Sequence, residues 1–180
     1  MDVRAATPAG WARYASGGTW KPAPHLLVLN RILMAAAAGE PWAQRVIVQM
    51  PPRHGKSEFV SGYFPSWYLG LYPERELVLA SYEHSLAARW GQRNRDLLEA
   101  YGPDVFGVKV RQDSSAKHDW KFHKRRGGMF TTGIGGALTG RGAHVAIIDD
   151  PVKNDQQALS PTYRERATEW YQSRPGRSSR

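Results

Sequence analysis

Apolar positions in the first half of the chain follow two different spacings. Residues 25–38 carry leucine, methionine and alanine every three or four positions, which predicts a helix that ends at Gly39. The continuous run 45–50 (RVIVQM) predicts a strand buried on both faces, and 77–81 (LVLAS) predicts a second such strand. The first predicted strand is followed by a loop at 51–55 that leads into another helix.

The same alternation continues in the second half of the chain. Residues 86–100 and 163–171 have helical spacing, and 145–148 (VAII) predicts a third buried strand. Shorter strand candidates lie at 120–122 and 130–132. Because the strands alternate with helices, the fold class is predicted to be α/β, with a mostly parallel sheet flanked by helices.

The composition narrows the class of protein. The chain has 180 residues, and 25 lysines and arginines against 16 acids give a formal net charge of +9. The absence of cysteine excludes a disulfide framework, thiol catalysis and thiolate zinc sites. No apolar run approaches the ~18 residues of a membrane span, and no secretory signal is evident. We expect a soluble, non-secreted protein whose positive charge suits a polyanionic partner.

The positive charge is concentrated in residues 109–126, which hold seven basic residues against two acids. Trp120 and Phe122 lie among these basic residues, next to His118 and His123. Two interpretations fit the alternation: a segment that follows a phosphate backbone and stacks on bases, or a half-buried strand with both rings in the core. Under the first interpretation, the DNA-binding candidates are Lys121, Lys124, Arg125 and Arg126.

Residues 50–57 (MPPRHGKS) have the features of a phosphate-binding loop between a predicted strand and a predicted helix. Gly55 lets the backbone approach phosphates, Lys56 is predicted to reach the β- and γ-phosphates, and Ser57 is predicted to ligate Mg²⁺. Met50 stands where the usual pattern has its first glycine. The nucleotide-binding candidates are Pro52, Arg53, His54, Gly55, Lys56, Ser57, Glu58 and His25.

Two of these candidates have alternative interpretations. Arg53 is either a catalytic residue that contacts the γ-phosphate or an adjoining subunit, as an arginine finger does, or a solvent-facing loop residue. His25 is either an adenine-side contact or only the first residue of its helix. The glycine-rich segment 133–142 is either a loop near the nucleotide or a plain turn.

The apolar strand at 145–148 ends in two carboxylates, Asp149 and Asp150. Asp149 is predicted to hold Mg²⁺, and Asp150 to orient and polarise an attacking water molecule. Acids at a strand end also occur simply because they face solvent. Together with the Lys56–Ser57 loop, however, the pair predicts a nucleoside triphosphatase.

Three blocks resemble, in order, the ATPase domain of the large terminase subunit of tailed bacteriophages. They are PPRHGKSE, LVLASYEHSLAARWGQRNRDLL and GGALTGRGAHVAIIDDPVKN, and the resemblance covers roughly residues 20 to 172. It implies a RecA-like ASCE P-loop fold, with ATP and Mg²⁺ as cofactors. By matching position, Lys56 and Ser57 fall on the family's phosphate loop, Asp149 on its Mg²⁺ acid, and Asp150 where many relatives carry a catalytic glutamate.

The resemblance also implies partners and a division of the chain. The partners would be double-stranded DNA, a portal protein, a small terminase subunit and further copies in a ring, in the cytoplasm of a bacterial host. Family members are longer and continue into another strand and a nuclease domain. We therefore expect this chain to be the N-terminal ATPase part only, with an incomplete sheet. The expected division is a lead-in at 1–24, an ATPase domain at 25–172 and a disordered basic tail at 173–180.

Two other functions fit the same residues. The first is a helicase-like ATPase of superfamily 2, although such enzymes typically show Asp-Glu where this chain has Asp149-Asp150-Pro151. The second is a non-catalytic fragment that binds nucleotide or DNA without hydrolysing ATP.

Overall fold

The computed structural model describes residues 2–112, 118–136, 142–153 and 155–172. These residues form α-helices, β-strands and two short 3₁₀ turns, Val3–Ala5 and Pro41–Ala43. The helices are α1 Pro8–Ala15, α2 Pro24–Ala38, α3 Lys56–Val60, α4 Phe64–Leu71, α5 His84–Phe106, α6 Asp155–Leu159 and α7 Pro161–Gln172. The strands are β1 Glu76–Ser81, β2 Asp119–Lys121, β3 Gly128–Gly133 and β4 Val145–Ile148.

The four strands form one sheet in the order β2-β3-β1-β4. Strands β3 and β4 run parallel to β1, whose Leu77 is paired with Met129 on one side and Val145 on the other. Strand β2 is antiparallel to β3. The sheet therefore has a carboxyl edge, where β1, β3 and β4 end, and an amino edge, where they begin. This confirms a mixed α/β domain with a mostly parallel sheet.

The core lies between the sheet and helices α1, α2, α4 and α5. Leu77 and Leu79 of β1 and Leu98 of α5 are fully buried within it. The predicted lead-in contributes to the same core, because Trp11 is fully buried and its Nε1 donates to Ser66 Oγ at 2.9 Å. The described part of the lead-in, residues 2–24, therefore shares its core with the other described residues.

The predicted strand at 45–50 is wrong. Residues 46–50 have no regular secondary structure and pair with none of the four strands. They are not buried on both faces either, since Ile47 is 90% exposed. A β-branched run favours a strand only where a neighbouring strand offers its backbone groups and side chains, and no described strand lies beside this run.

The other predicted elements are confirmed, most of them with ends shifted by one or two residues. Helix α5 continues six residues beyond its predicted end, to Phe106. The sequence pattern missed α1, α4 and α6. Helix α4 was missed because all but its last residue are buried, so it shows no alternation between apolar and polar faces. None of the helices in the described ranges combines the length and apolar character that a membrane crossing requires.

Some sequence-based predictions lie outside the described residues. These are Asp113 and Lys117 of the basic segment, half of the glycine-rich segment (137–141) and the predicted basic tail at 173–180. Within the described part of the glycine-rich segment, the carbonyl of Gly136 accepts a hydrogen bond from Trp170 Nε1 at 2.8 Å. Helix α7 therefore packs against this segment next to the carboxyl edge.

Candidate functional site

The carboxyl edge of the sheet brings the predicted phosphate loop and the predicted acids into contact. Ser57 Oγ donates to Asp149 Oδ1 at 2.9 Å. Lys56 Nζ lies 3.0 Å from Asp150 Oδ1 and 3.8 Å from Asp149 Oδ1. Groups more than 90 positions apart in sequence thus meet at one point. They meet because α3 begins, and β4 ends, at the same edge.

Asp149 is held on three sides. It is only 6% exposed, and its backbone N–H donates to the carbonyl of Ala80 on β1 at 2.9 Å. Its Oδ1 accepts from Ser57, and its Oδ2 accepts from Ser61 Oγ at 2.9 Å. The sequence reasoning missed Ser61. Its position four residues after Ser57 on the same helical turn was the available signal, because residues i and i+4 share one helix face.

Asp150 lies in a different environment from its neighbour. Its side chain is 54% exposed and its φ of 47° is in the left-handed region, which costs a non-glycine residue about 1 kcal/mol or more. Its carbonyl accepts from the backbone N–H of Tyr82 at 3.0 Å, which anchors the turn. The two adjacent acids are therefore distinct: one is buried and fixed, and the other faces Lys56 and solvent.

The loop that precedes α3 has two residues in the left-handed region, Arg53 at φ 62° and Gly55 at φ 80°. A Cβ on residue 55 would also lie 3.3 Å from Leu26 Cδ1, so both conformation and space favour glycine there. Arg53 is exposed and has no hydrogen-bond or ion-pair partner within the described ranges.

His25 at the start of α2 supports this loop. Its Nε2 donates to the carbonyl of His54 at 3.0 Å, and His54 Nδ1 donates to the carbonyl of Pro52 at 2.8 Å. The two imidazole rings lie edge to face, with centroids 5.9 Å apart. His25 thus contacts the loop backbone, and its predicted contact with adenine stays a prediction.

Glu58, the remaining loop-side candidate, faces away from the two acids. Its Oε1 lies 3.3 Å from the guanidinium of Arg93 on α5. The same guanidinium covers the ring of Tyr63 at 4.5 Å from its centroid. Glu58 therefore connects the first turn of α3 to α5.

The donor set at this edge fits a magnesium-bound nucleotide. Ser57 and Asp149 supply a hydroxyl and a carboxylate, the hard oxygen ligands that Mg²⁺ prefers. The described residues contain no group of three or more histidines, aspartates and glutamates that could hold a metal alone. A Mg²⁺ ion would take its other ligands from phosphate and water, as is usual for this ion. Lys56 supplies a positive charge next to that position.

The amino edge carries a basic turn, residues 121–127. The carboxylate of Glu74 accepts from the backbone N–H of Arg126 at 3.0 Å and lies 3.3 Å from the guanidinium of Arg125. The N–H of Arg126, together with the Arg125 side chain, lowers the pKa of Glu74 below its ordinary value. Lys121 Nζ lies 2.9 Å from Glu76 Oε1.

The aromatic residues of the basic segment are core residues. Trp120 and Phe122 are both fully buried, and Trp120 Nε1 donates to the carbonyl of Gly91 on α5 at 3.0 Å. The interpretation in which these rings stack on bases is therefore wrong, and the half-buried strand is confirmed. Lys121 remains on the solvent side of the same strand.

The basic side chains surround an open groove of about 750 Å³, where Arg111, Lys124, Arg125 and Arg126 face Glu74, the one carboxylate among the described lining residues. This groove lies at the start of β3, whereas the acids lie at the end of β4. A strand of six residues such as β3 separates the two edges by roughly 20 Å. The structure therefore places the DNA-binding candidates and the nucleotide-binding candidates at opposite edges of the sheet.

Comparison with known proteins gives one result. A family model described as terminase large subunit, T4likevirus-type, N-terminal, matches residues 47–180, well over half of the chain. The matched range contains the phosphate loop, both acids and the basic turn. No curated protein and no solved structure matches the chain.

Proposed function

The chain belongs to the T4-like family of terminase large subunits, in its N-terminal region, and we propose that it is an ATPase motor domain for packaging double-stranded DNA. Its fold would be RecA-like, of the ASCE class of P-loop proteins. The observation that carries the proposal is the contact between Ser57 and Asp149, with Lys56 Nζ within 4 Å of both acids. A loop and a strand end that meet in this way form the core of a nucleotide hydrolase site.

Each side chain at the carboxyl edge then has a separate task. When bound, ATP would supply the phosphoryl group, and Mg²⁺ would neutralise part of the phosphate charge. Ser57 and Asp149 would hold the metal, and the ammonium of Lys56 would neutralise phosphate charge. Lys56 contacts Asp150 in the structure. When phosphate binds, the ammonium would therefore have to divide its three N–H groups between the Asp150 carboxylate and the phosphate oxygens.

Asp150 would orient the attacking water and accept its proton. Its half-exposed carboxylate can reach solvent, whereas both oxygens of the buried Asp149 are already occupied by hydroxyls. Arg53 projects from the loop into solvent, where it could reach a γ-phosphate or a neighbouring copy in a ring. Pro52, His54, Gly55 and Glu58 would shape the loop around the phosphates, and His25 would support it.

The partners follow from the family and from the charge. We propose that the groove at the basic turn contacts the phosphate backbone of double-stranded DNA through Lys121, Lys124, Arg125 and Arg126. The portal protein, the small terminase subunit and a ring of copies are further proposed partners, in the cytoplasm of a bacterial host. The aromatic residues of the segment take no part in binding, because they are buried.

One observation favours a second candidate, a chain that binds nucleotide without hydrolysing it. The segment before the phosphate loop is not a strand, and Ile47 is 90% exposed. A loop whose preceding segment is outside the sheet holds its phosphate contacts less rigidly, and hydrolysis depends on rigid positioning more than binding does.

The test measures nucleotide binding and phosphate release on the same protein, with ATP, Mg²⁺ and double-stranded DNA. Lys56→Ala should reduce phosphate release by about 100-fold or more, since it removes the charge that stabilises the transferred group. Asp150→Asn should retain nucleotide binding and lose phosphate release. Lys21→Ala removes the same charge from an exposed position in the lead-in and should match wild type.

Two outcomes separate the candidates, and two others would contradict the proposal. Binding with release supports the motor ATPase, and binding without release supports the second candidate. Wild-type protein that binds no nucleotide in Mg²⁺ would refute the proposed function. Equal binding by wild type and Lys56→Ala would show that the site has been assigned to the wrong residues.

A further inference from the structure

A buried hydrogen-bond network lies behind the two acids, and it contains none of the predicted loop residues. Ser61, Ser66 and Asn94 are each fully buried. The amide of Asn94 donates to the carbonyls of Ser61 at 2.8 Å and Trp90 at 2.9 Å, and its oxygen accepts from the N–H of Ser66 at 2.8 Å. Every polar atom of this asparagine side chain is therefore used.

The network spans the break between α3 and α4. Helix α3 ends at Val60 and α4 begins at Phe64, so the break leaves backbone groups without helical partners. Asn94 binds one such group on each side, the carbonyl of Ser61 and the N–H of Ser66. It therefore fixes the geometry of the break from the neighbouring helix α5.

Fixing the break also fixes the hydroxyl of Ser61. Ser61 Oγ donates to Asp149 Oδ2 at 2.9 Å in a buried setting, while Ser57 Oγ donates to Oδ1 at 2.9 Å. A carboxylate held at both oxygens cannot rotate about its Cβ–Cγ bond without losing a buried hydrogen bond. Losing such a bond in the interior leaves an unsatisfied polar atom, which is costly.

We propose that Ser61 is a positioning residue for Asp149, with Asn94 as its support, and that together they hold the carboxylate ready for Mg²⁺. This inference rests on the proposed nucleotide site and adds two residues to it. Ser61 acts through Asp149 and needs no contact with nucleotide. Partners that orient a metal ligand in this way typically change metal affinity when they are removed.

Ser61→Ala should raise the Mg²⁺ concentration that half-saturates nucleotide binding by about 10-fold or more. Nucleotide binding in a chelator, without Mg²⁺, should change little, because the Ser61 hydroxyl bonds to Asp149, while the contact of Ser61 with the loop is a backbone bond to the Ser57 carbonyl that the substitution keeps. Binding of a fluorescent ATP analogue, titrated with Mg²⁺, measures both quantities without requiring hydrolysis. Ser61→Thr keeps the hydroxyl and should recover most of the Mg²⁺ affinity.

Ser66→Ala is the matched control. Ser66 is equally buried, but its hydroxyl donates to the carbonyl of Tyr63 at 2.9 Å and accepts from Trp11, away from Asp149. Ser66→Ala should unfold at a lower urea concentration than wild type, as Ser61→Ala does. The Mg²⁺ concentration that half-saturates its nucleotide binding should stay at the wild-type value. If Ser61→Ala does not fold, Ser61→Cys retains nearly the same volume with a much weaker donor and replaces it.

The outcomes are distinguishable. A wild-type Mg²⁺ requirement in Ser61→Ala, or in Ser61→Cys where that variant replaces it, would overturn the positioning role and leave the proposed function intact, and so would an equal rise in Ser66→Ala. Failure of wild-type protein to bind nucleotide in a Mg²⁺-dependent way would overturn both.

Discussion

The two edges of the sheet both carry charged side chains at strand ends, but they hold them differently. At the carboxyl edge, Asp149 is 6% exposed and accepts hydrogen bonds from two hydroxyls. At the amino edge, the side chains of Glu74 and Arg125 are each more than half exposed in their ion pair. Buried hydrogen bonds fix a geometry because breaking them is costly, whereas exposed ion pairs exchange readily with water. The first edge is suited to chemistry and the second to adaptable contact with a polyanion.

The amino edge contains the same contrast within one strand. Trp120 is fully buried, while the adjacent Lys121 has a side chain that is 44% exposed. The aromatic residues thus stabilise the strand, and Lys121 lies on its solvent side. The following variants test this division, in order of decreasing expected effect.

Trp120→Ala should destabilise the protein by about 3–5 kcal/mol, because it leaves a large cavity and removes the bond to the carbonyl of Gly91. Urea denaturation measures the change in the free energy of unfolding. Lys121→Ala, one residue away, should cost less than about 1 kcal/mol. A small effect of Trp120→Ala would mean that the ring is not part of the core.

Asn94→Ala should destabilise the protein by about 1–3 kcal/mol, because it leaves the Ser61 carbonyl and the Ser66 N–H buried without partners. Gln92→Ala, on the same helix but partly exposed, serves as the control and should stay close to wild type. If the two variants unfold at the same urea concentration, the break between α3 and α4 does not depend on Asn94.

The double variant Lys124→Ala/Arg126→Ala should bind double-stranded DNA about 10-fold more weakly, with the slope of log affinity against log salt flatter by about 2. Neither side chain forms an ion pair within the described residues, so stability should not change. Lys21→Ala/Arg31→Ala removes the same charge from exposed positions elsewhere. Equal losses in both double variants would indicate a net-charge effect and would argue against a defined surface.

Glu74→Gln should have the smallest effect, visible only in its pH dependence. The folded-state pKa of Glu74 is lowered, mainly by the backbone N–H of Arg126, so its carboxylate stabilises the fold above the ordinary value of 4.5. That advantage over Glu74→Gln should disappear as the pH falls through the lowered pKa. Thermal unfolding of both proteins between pH 6 and roughly pH 3 checks this. Parallel stability curves for the two proteins would contradict it.

Sequence reasoning succeeded where a local pattern is enough. The spacing of apolar residues in α2 and α5, and the short runs in β1 and β4, predicted these elements correctly. The contact of Lys56 and Ser57 with the acids at 149 and 150 was also implied, because a phosphate-binding loop and acids at a strand end work as one site. The contact forms although the strand predicted before the loop is absent.

The same reasoning failed where the outcome depends on a distant neighbour. The run at 45–50 has the composition of a strand, but a strand also needs a partner strand beside it, which the run does not encode. Similarly, the alternation at 120–122 fitted both a DNA-stacking surface and a core strand. The burial of Trp120 and Phe122, with Trp120 bonded to Gly91 on α5, decides for the core strand.

Local periodicity and side-chain chemistry are enough to predict the residue types of the site, the net charge and most of the helices and strands. Which side chains are buried together depends on the tertiary packing. Ser61 contacts an acid 88 positions away, and Asn94 reaches the Ser61 carbonyl from 33 positions away. Buried hydrogen bonds require such groups to meet at a distance of about 3 Å, and only the packing of α3, α5 and β4 against one another sets that distance.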